Sequence, residues 1–311
     1  MKNGKRILNI ILIVLAYGYL GYKIVTYDNY AGLIAQFSSA GAWQWLCFVG
    51  CVLLFPVNKL CEAWKWRYLV RGIEPMGLWE AQRQVYYGTI AGFVTPYKLG
   101  EYPGRAMLFR RTGDHWLTAT CLGMIGGYAM TVVIVLCGVP AALQQLTSDR
   151  SLWWSMGLII GGGLTATAAL PALMRRLQKR RWKSEKTQQL IDSIVALSVR
   201  DVTVLIGISV VRYGVFLLQL LLVLLFCHIE LPPQQMLGIM TLYYLLVTVT
   251  PNVPAAEVAV RGAWAVVLFE PFGADVTAAA VTATLLLWAV NTILPLVVGS
   301  MVKPKENRPR E

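Results

Sequence analysis

Two short stretches of the chain carry the same residue types in the same order: a Thr-Pro pair, then a glutamate, then an arginine four positions after the glutamate. They are Thr95, Pro96, Glu101 and Arg105 in the first half, and Thr250, Pro251, Glu257 and Arg261 in the second. A glutamate and an arginine at this spacing share one face of a helix and can form an ion pair. Because a guanidinium binds phosphate through two parallel hydrogen bonds, a phosphate group would compete for each arginine.

Each Thr-Pro pair interrupts an apolar segment that is short for a membrane span. The first segment, 86–96, passes into a polar turn that contains Lys98, and the second, 236–250, passes into a turn with few charges. Backbone that leaves the helix inside a membrane must be buried in protein or line a wet cavity. The half-helices that follow are predicted to begin near Glu101 and Glu257, where free N–H groups and the helix dipole favour an anion. The two breaks therefore indicate a binding site for an anionic group.

The composition places the whole chain in a membrane. Of its 311 residues, 57% are hydrophobic and 14% are charged, and the mean hydropathy is +0.56. A soluble domain carries about 25% charged residues, so the excess apolar surface must face lipid. The net charge of +12 is concentrated at the ends of apolar runs, which is typical of cytoplasmic loops beside anionic lipid headgroups. We therefore expect the membrane as a partner and no nucleic acid.

The cysteines and histidines form no pattern for metal or redox chemistry. The six cysteines lie in or beside apolar runs, without the spacing of a metal site or a redox pair, and the two histidines, His115 and His228, are far apart in the chain. The sequence predicts no metal, no cofactor and no catalytic residue.

Apolar length and loop charge predict an all-α integral membrane protein with about six transmembrane helices and two re-entrant hairpins. The basic N-terminal segment, Lys65 and Arg67 after the second span, the basic segment 174–199 and the basic C-terminal tail mark the cytoplasmic side. Both termini are then cytoplasmic, the first hairpin enters from inside, and the second, 236–272, enters from outside. The predicted spans are 7–25, 45–60, 115–139, 152–173, 202–227 and 276–302.

Hairpins on opposite faces are what an inverted repeat requires. We interpret residues 1–311 as a single polytopic membrane domain, with pseudo-repeats at approximately 45–173 and 202–302 joined by a basic cytoplasmic loop, 174–199. Interrupted helices at matching positions of two halves are typical of the binding site of a transporter. The Glu–Arg pairs of the two breaks are therefore expected to approach each other near the middle of the membrane.

Arg212 lies near the middle of the predicted span 202–227. A charge at that depth is costly, so it marks either a functional site or a buried ion pair. We expect it to face the same cavity as the breaks; a purely structural pair with one of the glutamates is the alternative. For Lys98 and for the two Glu–Arg pairs, the alternative is an ordinary position at the membrane interface.

The stretch 88–111, with its partner 250–264, resembles the membrane region of the lysylphosphatidylglycerol synthases, a flippase-like family that also occurs as stand-alone bacterial proteins. The family pattern is a break after a proline, then Gly-Glu, then an arginine that leads into a basic turn. It falls on Pro96, Gly100, Glu101, Arg105, Arg110 and Arg111 in the first half, and on Pro251 and Glu257 in the second, where Asn252, Val253, Ala255 and Ala256 replace common glycines. The resemblance covers roughly 45–302.

The resemblance implies a translocator of lipids in the bacterial cytoplasmic (inner) membrane. In the bifunctional relatives, a soluble domain beyond the membrane region transfers an amino acid from tRNA to the lipid. Only residues 303–311 follow the last predicted span here. We therefore expect this chain not to be an aminoacyltransferase. The breaks contain no histidine, so we also expect no enzyme of another kind, although a membrane-embedded enzyme is kept as an alternative.

The function expected from these observations is that of a flippase-like lipid translocase, which binds an anionic phospholipid or lipid-phosphate headgroup between the two hairpins. Lys98, Arg105 and Arg261 would hold the phosphate, while Glu101 and Glu257 would pair with them and carry a coupling proton. Two alternative functions stay open: a membrane-embedded enzyme, and an accessory subunit in lipid or cell-envelope biosynthesis. The chain is also compatible with a homo-oligomer, or with a biosynthetic partner that binds the basic loop. The predicted substrate-binding residues are Thr95, Pro96, Lys98, Glu101, Arg105, Arg212, Thr250, Pro251, Glu257 and Arg261.

Overall fold

The computed structural model of the protein describes residues 40–95, 98–109, 115–146, 195–250 and 256–301, together with a few isolated positions. Within these ranges the chain is helical, with turns between the helices and no strand. The all-α class is therefore confirmed for the described residues. The helices are α1 (Ala42–Leu69), α2 (Leu78–Val94), α3 (Glu101–Ala106), α4 (His115–Leu146), α5 (Val199–Phe226), α6 (Pro233–Val249), α7 (Glu257–Phe269) and α8 (Ala274–Ser300).

Four of these helices match predicted spans. Among the described residues, four stretches are long and apolar enough to cross a membrane, and they are Ala42–Leu69, Trp116–Ala142, Val199–Phe226 and Ala274–Ser300. The other two predicted spans, 7–25 and 152–173, lie almost entirely outside the described residues. The total of six spans therefore stays a prediction.

Helix α1 continues well beyond residue 60, where the second span was predicted to end. That prediction stopped at charged residues because charges usually mark the end of a span. In the structure Glu62 and Lys65 are 3% and 2% exposed, so both are packed inside the protein. Arg67 and Arg71, near the same end of the helix, are exposed. Lys65 is thus a residue of the protein interior, and the assignment of this end of α1 to the cytoplasmic side stays a prediction.

Each Thr-Pro break separates two shorter helices. Helices α2 and α6 have 17 residues each, and α3 and α7 have 6 and 13. A helix of that longer length extends about 25 Å, whereas the hydrocarbon core is about 30 Å thick. Helices α3 and α7 begin at Glu101 and Glu257, as predicted, but α2 begins at Leu78 rather than near residue 86. Re-entry of these pairs into the membrane stays a prediction.

Glycines allow α2 and α3 to pack more closely than side chains would permit. Gly88 and Gly92 of α2 face α3, and Gly100 and Gly104 face α2. A Cβ atom at Gly104 would lie 2.6 Å from the Cβ atom of Ala91, and one at Gly100 would lie 2.5 Å from the carbonyl oxygen of Ala91. The start of α3 is therefore held against the end of α2.

Helix α3 also packs against α4 through Tyr102. A Cβ atom at Gly123 would lie 2.5 Å from Tyr102 Cδ1, and one at Gly127 would overlap the Tyr102 hydroxyl group. The tyrosine ring fits on α4 because neither residue has a side chain. Helix α3, although short, is thus fixed between two longer helices.

Contacts divide the chain into two compact units, and each unit contains one of the breaks. Unit I consists of the described residues of Met1–Val57 and Val215–Leu294, and unit II consists of those of Asn58–Gly214 and Pro295–Glu311. The boundary falls within three helices, α1, α5 and α8. Each of these helices therefore contributes residues to both units.

Each unit has a core of its own, in which a buried glutamine takes part in a hydrogen bond between helices. In unit II, Trp66 is 1% exposed and stacks on Phe109 with 6.0 Å between ring centroids. Its indole N–H donates to Gln84 Oε1 at 2.7 Å. In unit I, Gln219 Nε2 donates to the carbonyl oxygen of Cys51 at 3.1 Å. Buried polar groups need such partners, so these bonds link neighbouring helices in a defined register.

A capping box starts α5 and ties it to α1 within unit II. The Ser198 hydroxyl accepts a hydrogen bond from the Asp201 N–H at 3.2 Å, and Asp201 Oδ2 accepts one from the Ser198 N–H at 2.8 Å. This reciprocal pairing satisfies N–H groups that an open helix end would leave unpaired. Asp201 Oδ1 accepts further hydrogen bonds from Tyr68 and Arg71, each at 2.7 Å. The end of α1 and the start of α5 are therefore joined by one carboxylate.

Candidate anion-binding site

Arg105 of α3 is the centre of the polar groups around the first break. Its side chain is 1% exposed, and Nη2 donates to Glu101 Oε1 at 2.6 Å and to Glu62 Oε1 at 2.9 Å. Its Cζ atom lies 4.8 Å from the ring centroid of Tyr102 and 5.5 Å from that of Trp66. The Glu101–Arg105 ion pair expected from the spacing is therefore formed, and it is buried against aromatic rings.

Glu62 connects this ion pair to Arg212. One oxygen of the Glu62 carboxylate accepts from Arg105, and the other pairs with Nη1 of Arg212. Arg212 Nε donates to Asn58 Oδ1 at 3.0 Å. All of these residues belong to unit II. Arg212 thus pairs with a carboxylate of α1, a helix that belongs to neither break.

Sequence reasoning missed Glu62, although the polar face of α1 contained a signal. Residues 58, 59, 62 and 65 recur at intervals of three and four positions in an otherwise apolar helix. Such intervals place side chains on one side of a helix. All four side chains are buried. The sequence does not reveal this burial, because charges near the end of an apolar run are usually exposed at the membrane surface. The four residues are Asn58, Lys59, Glu62 and Lys65.

Two buried lysines give this group more cations than carboxylates. Lys59 Nζ donates to Thr89 Oγ1 at a long 3.4 Å. Lys65 Nζ has no hydrogen-bond partner among the described residues. A buried cation without a partner is costly, so the excess indicates a place for an anion. We name this group the Glu62 cluster; among the described residues its cations are Lys59, Lys65, Arg105 and Arg212, and its carboxylates are Glu62 and Glu101.

The charges of the cluster decide the protonation state of Glu101. Arg105 Nη2 donates to the Glu101 carboxylate at 2.6 Å, and an ion pair of this kind requires the carboxylate to be ionised. Glu101 would therefore accept a proton only after its ion pair opens. A role for Glu101 as a coupling group stays a prediction that depends on that opening.

Lys98 lies at the edge of the cluster rather than inside it. Its side chain is exposed, and its charge acts on Glu101 through space. Its backbone has φ of 56°, a left-handed conformation that is uncommon for a residue with a side chain. The Lys98 N–H donates to the carbonyl oxygen of Thr95 at 3.2 Å, which closes the turn between α2 and α3. This position suits a cation that meets an anion on its way to the buried arginines.

The two threonines of the breaks join one helix of each hairpin to the next. Thr95 Oγ1 accepts a hydrogen bond from the Gly100 N–H at 2.7 Å and donates to the carbonyl oxygen four residues earlier at 3.0 Å. Thr250 Oγ1 donates to the corresponding carbonyl oxygen at 2.6 Å and accepts from Trp264 Nε1 at 2.9 Å. Both hydroxyl groups are therefore engaged within the protein in this structure, although both were predicted to bind substrate.

Replacing Thr95 with valine is expected to lower the free energy of unfolding by about 1–3 kcal/mol, because the partly buried Gly100 N–H loses its acceptor. The loss would be measured as a lower Tm of the purified protein in detergent. Thr203→Val is the matched control, since the Thr203 hydroxyl is on the exposed side of α5 and bonds only to its own helix. Equal Tm values for the two variants would contradict a linking role for Thr95.

Glu257 and Arg261 form the second ion pair, at the start of α7. Arg261 Nη2 donates to Glu257 Oε1 at 3.1 Å, and the arginine side chain is 19% exposed. This pair belongs to unit I, whereas the first pair belongs to unit II, so the expected approach of the two pairs stays a prediction. Four other residues of the two breaks lie outside the described residues, and they are Pro96, Pro251, Arg110 and Arg111.

The chemistry that the Glu62 cluster supports is the binding of an anion by charge and hydrogen bonding. Arginine offers a planar set of N–H groups that matches the oxygens of a phosphate, and lysine adds a compact positive charge. In the ranges that the structure describes, no three His, Cys, Asp or Glu side chains are grouped as metal ligands would be.

Comparison with known proteins supports the resemblance of the breaks to a lipid-related family. The family described as the lysylphosphatidylglycerol synthase TM region matches residues 7–299, which is nearly the whole chain. The match includes both breaks and the Glu62 cluster. No curated protein and no solved structure matches the chain. The chain belongs to the family of lysylphosphatidylglycerol synthase transmembrane regions.

Proposed function

We propose that the protein translocates a lipid with an anionic, phosphate-containing headgroup across the membrane, and that the Glu62 cluster holds that headgroup. The observation that carries this proposal is the excess of cations over carboxylates within the Glu62 cluster, which lies among apolar helices. Membership of the family supports a lipid as the substrate.

Helix α1 has one surface for the headgroup and another for lipid. Glu62 and Lys65 are buried on the side that faces Arg105. Leu60 and Trp64, on the same two turns, are 44% and 57% exposed. This arrangement of polar groups inside and apolar groups outside is what a lipid translocator needs. The headgroup would move among the charges while the acyl chains stay in the surrounding lipid.

The arginines would release their carboxylates to bind the phosphate. Arg105 shares its Nη2 group between Glu62 and Glu101, and Arg212 shares Glu62 with it. When a phosphate binds one guanidinium, the carboxylates can pair with the other cations of the cluster. Neither carboxylate is then left without a cation. Exchange of partners of this kind allows an anion to bind tightly enough to enter and loosely enough to leave.

Lys59→Met is expected to slow lipid flipping by about tenfold or more, which corresponds to about 1.4 kcal/mol of lost attraction to the headgroup. Because Lys59 makes only one long hydrogen bond, the fold should be spared. The assay uses proteoliposomes that contain fluorescently labelled phosphatidylglycerol, with dithionite to quench the outer leaflet. Arg67→Gln is the control, since Arg67 is an exposed cation of the same helix that bonds only to the Met76 carbonyl oxygen.

Two outcomes would count against the proposal. Unchanged flipping in both Lys59→Met and the double variant Glu101→Gln, Arg105→Ala would remove the cluster from the mechanism. A purified wild-type chain that flips no lipid would instead favour the alternative of an accessory subunit or an enzyme in lipid or cell-envelope biosynthesis.

A further inference from the structure

We propose that the Glu62 cluster selects a lipid headgroup that ends in a phosphate monoester over one whose phosphate is a diester. The inference rests on the proposed function, because it names the class of lipid that the same site takes.

The charge balance of the cluster is the first argument. Among the described side chains the cluster holds four basic groups and two carboxylates, an excess of two positive charges when both lysines are protonated. Arg105 and Lys65, at 1% and 2% exposure, cannot rely on water to compensate their charges. A phosphate monoester carries about −1.5 to −2 charges at pH 7, whereas a diester carries one. The monoester balances the cluster, and the diester leaves a buried cation uncompensated.

The supply of hydrogen-bond donors is the second argument. Lys65 Nζ and Arg105 Nε have no hydrogen-bond partner among the described residues. Lys59 Nζ uses one donor, in a long bond to Thr89. A monoester offers three terminal oxygens as strong acceptors, one more than a diester. The unused donors therefore match the additional oxygen.

The surroundings of Lys65 place it in the cluster rather than in a separate part of unit II. The charges of Arg105 and Glu101 both act on its ammonium group. Its Cε atom lies 3.7 Å from the position that a Cβ atom on Gly126 of α4 would occupy, so its stem runs along α4. No described carboxylate pairs with it. Lys65 is thus a buried cation that lacks only an anion.

The test measures the affinity of the full chain, in neutral maltoside micelles, for three short-chain lipids: phosphatidate, phosphatidylglycerol and phosphatidylcholine. Phosphatidate should bind at least about tenfold more tightly than phosphatidylglycerol at pH 7.5. The affinity ratio should approach one as the pH falls to 5, because the monoester dianion takes up a proton near pH 6 and becomes a monoanion, while the diester keeps its single charge. This measurement needs no variant, so a folding defect cannot obscure it.

Lys65→Met tests the residue behind the preference. This substitution is expected to reduce the ratio of the affinity for phosphatidate to the affinity for phosphatidylglycerol about tenfold. The reduction should come mainly from weaker binding of phosphatidate. Arg67→Gln, which removes an exposed charge from the same helix, should leave the ratio unchanged. A ratio in Lys65→Met equal to that of the wild type would overturn the role of Lys65.

The remaining outcomes separate this inference from the proposed function. If phosphatidate and phosphatidylglycerol bind equally, and both bind more tightly than phosphatidylcholine, selection of a monoester is refuted while an anionic-lipid site stands. If no anionic lipid exceeds phosphatidylcholine, the proposed function itself fails. Glycerol 3-phosphate should displace phosphatidate only at far higher concentration; displacement at equal concentration would show that a free phosphate monoester, rather than a lipid, is the ligand.

Discussion

Glu62→Gln is expected to destabilise the protein by about 3–5 kcal/mol, because it removes the carboxylate that is shared by two buried guanidinium groups. Arg105 would keep its ion pair with Glu101, whereas Arg212 would lose its ion pair with Glu62. The loss would appear as a lower Tm in detergent and as a smaller yield of folded protein. Lipid flipping should fall as well, since Glu62 positions both arginines.

A second substitution separates loss of charge balance from loss of shape. Adding Arg212→Gln to Glu62→Gln removes one cation with the carboxylate, so the net charge of the cluster returns to its original value. The double variant should recover a large part of the Tm while its flipping stays low. Glu230→Gln provides the control, because Glu230 is exposed in the turn after α5. A Glu62→Gln protein as stable as Glu230→Gln would show that the cluster does not need its central carboxylate.

Gly104→Ala is expected to destabilise the first hairpin by about 1–3 kcal/mol through overpacking. The added Cβ atom would lie 2.6 Å from the Cβ atom of Ala91 and 3.3 Å from the Cα atom of Gly88. Helices α2 and α3 would have to separate, which would move Arg105 away from Glu62. The variant should therefore lose both Tm and flipping.

The clash with the Cβ atom of Ala91 can be relieved by a second substitution. Ala91→Gly removes the atom that the new Cβ would strike, so the double variant Gly104→Ala, Ala91→Gly should regain part of the Tm. The recovery is partial because glycine within a helix costs about 1 kcal/mol relative to alanine. Gly207→Ala serves as the matched control, since a Cβ atom there meets nothing within 4 Å. If Gly104→Ala lowers the Tm and Ala91→Gly does not restore any of it, the clash does not arise at the contact between α2 and α3.

The features of the two breaks that the sequence predicts correctly are local ones. Helices α3 and α7 begin at the predicted glutamates, and both ion pairs form, because each feature depends on residues within about two turns of one another. Four apolar helices lie where hydropathy predicts them, because length and apolar content are properties of a continuous segment.

The partner of Arg212 depends on residues far apart in the chain. Glu62 and Arg212 are 150 residues apart in sequence, and no local pattern specifies that α1 and α5 bring them together. The sequence indicated that a charge within a span needs a partner, but it did not single out Glu62 as one. The burial of Lys65 cannot be predicted from the local sequence either, because a lysine at the end of a span can equally lie in a cytoplasmic loop.

The sequence by itself determined that the chain is an all-α membrane protein, that two Thr-Pro breaks interrupt its apolar segments, and that each break carries a Glu–Arg pair. Those are consequences of hydropathy, proline and helical spacing, which act locally. Only the tertiary structure decided that the first pair is joined to Arg212 through Glu62, that the break threonines close the hairpins, and that two lysines are buried beside the arginines. The reason is physical: burial and shared ion pairs arise from which helices pack together, and that packing depends on residues distant in sequence.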